Sequence, residues 1–153
     1  MARRWQDWQA DACFIDKGGF GSSWIDNLRR LGREPIGIAF SGRATDPRYE
    51  NKRTEMYFEA VDWIRRGGQL PPGQASHELI AALSQTTYSF RGDRLLLEPK
   101  EQVKSRLGYS PDDADAFVLT FAQPVAAGSY GCGTGGPRGT PGRALVEYDV
   151  LKL

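Results

Sequence analysis

In "ACFIDKGGFGSSWIDNLRRLG", residues 12–32, an aspartate closes an apolar run and glycines follow at once. Asp16 at the tip of a strand, beside Gly18, Gly19 and Gly21, is an acid next to backbone stripped of side chains, where something bulky can come close. A second acidic position is "SPDDADA", in which Asp112, Asp113 and Asp115 crowd the first turn of an apolar helix. Taken singly, each has an ordinary explanation. Asp16 can cap its own loop, and acids in a first turn complement the helix dipole. Taken together they suggest more, because clustered carboxylates repel one another unless a cation sits between them. Oxygen-only ligands favour Mg²⁺ or Mn²⁺. Two such ions about 3.5–4 Å apart activate a water and stabilise the departing oxygen of a phosphodiester. Asp112 and Asp115, three apart, share a helix face while Asp113 points elsewhere; loose first-turn geometry leaves the choice of ligand open.

Other chemistries find little support. His77 is the single histidine and sits in "ASHELIAAL", an exposed first-turn position, so triad chemistry has no base. The two cysteines, Cys13 and Cys132, lack the spacing of a zinc site or a disulfide framework. A net charge of +1 argues neither for nor against nucleic acid. The basic residues do fall in groups: Arg29, Arg30 and Arg33; Lys52 and Arg53; Arg65 and Arg66; Lys100, Lys104 and Arg106. Such groups are usually solvated helix faces. No apolar run approaches membrane-spanning length, which places the expected location in the cytoplasm.

The elements that must position these acids follow from pattern. A chain of 153 residues, 40% hydrophobic and 25% charged, is one domain's worth. Residues 2–9 are expected to form a short helix with Trp5 and Trp8 on one face. "ACFI" is a buried strand closing at Asp16. Ser22 or Ser23 caps a helix carrying Trp24, Ile25, Leu28 and Leu31, and Gly32 stops it. "PIGIAF" is a second buried strand, so strand, helix and strand imply a right-handed parallel crossover. Asn51 caps a long helix with Met56, Ala60, Trp63 and Ile64 at helical spacing. Ser76 starts a short helix bearing Leu79, Ile80 and Leu83. "TTYSF-RGD-RLLLE" is a hairpin, with "RGD" as its turn rather than an adhesion motif. Pro99 opens a helix that ends at Gly108. Ser110 and Pro111 then start the buried helix "DDADAFVLTFA".

Residues 1–126 thus form the folded part. Beyond Pro124 the composition changes: residues 127–153 make a glycine-rich tail, expected to be flexible, that ends in a short strand, "RALVEYDVL". That segment is either a sticky terminus or a docking peptide that adds to a sheet edge. Its glycines form no phosphate loop, since no Gly-Lys-Ser/Thr follows a strand.

Three stretches, "FIDKGGFGSSWIDNLRRLG", "GIAFSGRATDPRYENKRTEMYFEAVDWI" and "LLLEPKEQVKSRLGYSPDDADAFVLTFA", closely resemble the C-terminal nuclease domain of the large terminase subunit of tailed bacteriophages. The resemblance spans residues 11–122 in the same order. It implies an α/β, RNase H-like fold, a mixed sheet flanked by helices, and metal-dependent cutting of concatemeric double-stranded DNA during packaging. Asp16 matches the family's acid at the end of an inner strand, and "SPDDADA" its acid-bearing C-terminal helix. Asp113 is the favoured ligand, with Asp112 or Asp115 assisting. Gly18, Gly19, Lys52 and Arg53 are candidate DNA contacts; Lys52 and Arg53 match the family's "NKR" segment, in a role either DNA-facing or structural.

The resemblance also implies a truncation. The family's nuclease domain begins with further strands, the first carrying another essential aspartate, and the chain is expected to lack them. Asp7 and Asp11, in or beside a helix, are poor substitutes. The ATPase motor domain and its phosphate loop are likewise expected to be absent, so the chain looks like a truncated terminase: an expressed fragment, a split gene or a decayed prophage remnant. Two functions compete: a Mg²⁺- or Mn²⁺-dependent DNA endonuclease, or a catalytically incomplete module docking to a portal, a small terminase subunit or the missing ATPase part. A third, a nonfunctional remnant, predicts poor cooperative unfolding.

Overall fold

The computed structural model describes Trp5, Asp7 and residues 10–70 and 77–126. The expected helix over residues 2–9 lies mostly outside the described residues, as do Ser76 and the tail 127–153. The chain opens with β1 (Phe14–Asp16), α1 (Gly21–Arg30) and β2 (Ile36–Ile38), and β1 pairs parallel with β2 in the register Phe14 to Ile36 and Asp16 to Ile38. Two neighbouring strands running the same way require the intervening crossover helix, as anticipated.

The start of α1 differs from expectation. The helix begins at Gly21, with Phe20 at the cap position and no side-chain cap. Ser22 Oγ instead donates to the carbonyl of Lys17. Glycine permits the early start: a Cβ on Gly21 would lie 1.7 Å from the Asp16 carbonyl oxygen. The buried stripe of α1 is Ile25 and Leu28, whereas Trp24 and Leu31 are exposed.

The second half is built around α2 (Lys52–Arg65), α3 (His77–Gln85), the hairpin β3 (Tyr88–Arg91) and β4 (Arg94–Leu97), α4 (Lys100–Leu107) and α5 (Asp112–Leu119). Asn51 caps α2, its Oδ1 accepting from the Thr54 N–H at 2.9 Å. The hairpin is antiparallel with Arg91 opposite Arg94, so Gly92 and Asp93 are its turn, Gly92 at φ +62°. Gly108 ends α4 in the left-handed conformation that glycine adopts without strain. Pro111 takes the cap position of α5, and the Ser110 hydroxyl, expected to cap the helix, donates to Asp112 Oδ1. The apolar run expected to be helical to Ala122 leaves the α-helix at Leu119 and finishes in tight turns.

Among the described residues the mixed sheet therefore resolves into two two-stranded sheets, one parallel and one antiparallel. Tyr49 bridges to Leu95 beside the second. The main core gathers Met56, Ala60, Leu79, Ala114 and Val118, with Phe14 and Ile38 packed against it. A smaller cluster of Ile15, Ile25 and Leu28 lies on the opposite face of β1. So α1 covers one side of the parallel pair and α5 the other. Among the described residues no helix is long and apolar enough to cross a membrane.

Candidate active site

Strand alternation decides which way Asp16 faces. Residues two apart share a side of a strand, so Asp16 projects on the side of Phe14, toward the core that contains α5. It stands at the carboxyl end of β1, partly exposed, and its Oδ1 accepts the Gly18 N–H at 3.0 Å. A Cβ on Gly18 would lie 3.0 Å from Asp16 Oδ2, so glycine there leaves the carboxylate its room. Gly19 follows, exposed, at φ +52°. The tip is an acid in an open, glycine-walled loop, and α5 packs against β1.

The acids of α5 divide. Asp115 is 5% exposed. Its Oδ1 accepts from Arg53 Nε at 3.2 Å and from the Tyr57 hydroxyl at 3.0 Å. Lys100 Nζ lies 2.8 Å from its Oδ2. Asp112 is largely exposed and pairs with the same ammonium, Lys100 Nζ to Oδ1 at 2.8 Å. That ammonium, helped by the Ser110 hydroxyl, holds Asp112 below the usual carboxylate range. Burial alone would lower Lys100, but its hydrogen bond to Asp112 and its ion pair with Asp115 outweigh it and raise its pKa. Burial, with the charge of Asp115 beside it, pushes the Tyr57 hydroxyl up. Asp113 is exposed on the first turn.

Lys52 and Arg53 take structural places. Arg53 is 8% exposed, donates to the Glu98 carbonyl at 2.9 Å and lies over the Tyr57 ring. Lys52 is ion-paired to Glu55, whose other oxygen accepts the N–H groups of Thr45 and Asp46 at 3.0 and 2.8 Å. This pins the loop before α2 onto the helix.

Sequence reasoning missed Lys100 and Tyr57 as partners of these acids. The signal was Asp115 itself: an acid on the buried face of a helix, beside Ala114 and Val118, requires a buried cation and donors. Which residues supply them is a property of the fold.

The donor set of Asp16, Asp112 and Asp113 is of the hard-oxygen kind that Mg²⁺ and Mn²⁺ prefer. Yet among the described residues no three metal-ligating side chains come together, and Asp112 and Asp115 already have counter-cations. These residues do not make a complete metal centre. They supply an acidic strand tip and an acidic helix start on one side of a parallel pair.

No protein-family model and no curated relative matches the chain. Solved structures do. The nuclease domain of the large terminase subunit gp2 of bacterial virus Sf6 superposes with a TM-score of 0.61 at 20% identity, over 80% of this chain and 70% of that one. A point mutant of that domain with manganese gives 0.59 at 20% identity, over 80% and 70%. A mutant with calcium gives 0.61 at 20%, over 80% and 69%. The chain therefore has the RNase H-like α/β fold of a phage terminase nuclease domain.

Proposed function

We propose that the chain acts as a terminase-type nuclease domain that cuts double-stranded DNA during phage genome packaging. The observation that carries the reading is Asp16 at the open end of β1, on the side of the sheet that α5 covers, within a fold shared with a terminase nuclease domain. Asp16, partly exposed, and Asp113, exposed, are the acids that act on the substrate, with Asp112 assisting. Gly18 and Gly19 leave space for a sugar-phosphate backbone. A bound Mg²⁺ or Mn²⁺ would supply Lewis-acid stabilisation of a phosphodiester oxygen. A further carboxylate from outside the described residues would complete the centre and raise activity above what these acids give alone. The protein's own contribution is orientation: Gly18 N–H fixes the Asp16 carboxylate, and the Arg53–Asp115 pair fixes the helix that carries Asp112 and Asp113.

Supercoiled plasmid incubated with the chain and Mn²⁺ tests this reading. Nicking is expected, lost in Asp16→Asn and weakened in Asp113→Asn; nicking untouched by both changes rejects the site.

The neutralisation of Asp112 and Asp115 by Lys100 and Arg53 favours a second reading, a catalytically incomplete module that docks to a portal, a small terminase subunit or an ATPase part. On that reading plasmid stays intact while binding to one of these is measurable. A chain that nicks DNA and binds none of them rules it out.

A further inference from the structure

The hairpin has one open edge. Leu95 and Leu97 turn their N–H groups away from β3, toward the Arg48 carbonyl at 2.8 Å and Thr54 Oγ1 at 3.1 Å. Bonded and non-bonded positions alternate in an antiparallel pair. Tyr88 and Phe90, opposite Leu97 and Leu95, therefore send their own N–H and C=O groups outward. Among the described residues nothing meets them. Tyr88 and Phe90 are 57% and 70% exposed, and their rings pack edge-on at 6.3 Å, with Phe58 behind Tyr88. Ser89 and Arg91 lie on the other side of the strand. An exposed apolar edge of this kind is a template for one more strand.

We propose that residues 144–151 of this same chain, "ALVEYDVL", add to β3 as that outer strand. The central residues of the two patterns fit: Ala144, Val146, Tyr148 and Val150 would alternate onto one side and cover Tyr88 and Phe90, while Glu147 and Asp149, flanked by Leu145 and Leu151, would fall on the side of Arg91. Arg91 is well exposed and holds only a 3.3 Å contact to Glu50. The other edge of β1, unpaired among the described residues, is the competing site, and charge decides against it. That strand ends in Asp16, which the two acids of the segment would meet as like charges.

The described residues end at Ala126, and a linker of the length of residues 127–143 reaches at most about 56 Å fully extended. Tethering of this kind raises the effective concentration of the segment to about millimolar, so a short strand suffices. The inference is independent of any nuclease activity.

Hydrogen exchange of the Phe90 amide in the full chain tests it. Tyr148→Pro removes a donor from the added strand, and Tyr148→Asp puts charge on its apolar face; neither touches the described domain. The Phe90 amide is expected to exchange at least tenfold faster in both variants than in the wild type. Arg91→Glu is expected to weaken protection, and Glu147→Arg added to it to restore protection. Equal exchange in wild type and Tyr148→Pro overturns the proposal. Protection that rises with protein concentration overturns it too, assigning the strand to a second copy.

Discussion

Arg53 and Asp115 lie 62 residues apart in sequence and meet Nε to Oδ1 at 3.2 Å, with side chains only 10% and 7% exposed. The contact joins α2 to α5, and Lys100 brings in α4 from the other side of the carboxylate. Asp115 is thus the junction of three helices, and its work is to seat the acidic start of α5.

Removing either member strands the other inside the protein. Asp115→Asn and Arg53→Met are each expected to cost about 3–5 kcal/mol of folding stability, read by urea unfolding. The double variant is expected to cost less than the sum, since both changes remove one interaction. Loss below about 0.5 kcal/mol for Asp115→Asn would contradict the junction.

Much of this arrangement was legible in the sequence. The run from Phe14 to Asp16 and the glycines behind it announced a strand tip and a turn; "RGD" between two apolar runs announced a hairpin. What could not be read was which side each helix buries. The sequence offered Trp24, Ile25, Leu28 and Leu31 as one stripe on α1, but a two-stranded sheet is narrow and covers only Ile25 and Leu28. Serines were misleading as caps, because Ser22 and Ser110 had nearer partners in Lys17 and Asp112. Lys52 and Arg53 looked alike as DNA contacts. Tertiary structure separates them, burying the guanidinium against Asp115 and tying the ammonium to Glu55.

Glu55 sets an acid limit on stability. Burial alone would raise its carboxyl, but the Lys52 ammonium and the N–H groups of Asp46 and Thr45 outweigh it and hold it below the ordinary value. Glu98, beside Arg106, is depressed as well. A carboxyl that titrates lower when folded stabilises the protein above its unfolded value, about 4.3 for glutamate, and the gain disappears as pH falls through the folded value. Stability is expected to hold from neutral pH to about pH 5 and to fall below about pH 4. Glu55→Gln is expected to cost about 1–3 kcal/mol at pH 7 and to flatten the acid fall. An unchanged acid profile in that variant would count against the loop anchor.

Gly21 joins the Asp16 loop to α1 by close approach. With a Cβ placed 1.7 Å from the Asp16 carbonyl oxygen, Gly21→Ala forces the helix start away from the strand. The expected cost is about 1–3 kcal/mol, measured by thermal unfolding. Stability equal to wild type would mean that β1 and α1 are not so tightly joined.

The central claim is that the tip of β1 and the start of α5 present their acids to one place. Line broadening by Mn²⁺ in the amide spectrum of the full chain measures this without reference to cleavage. The amides of Gly18, Gly19, Asp112 and Asp113 are expected to broaden together at the same low Mn²⁺ concentration, and all four to be spared in Asp16→Asn. Broadening confined to one of the two segments, or unchanged on α5 in Asp16→Asn, would contradict it.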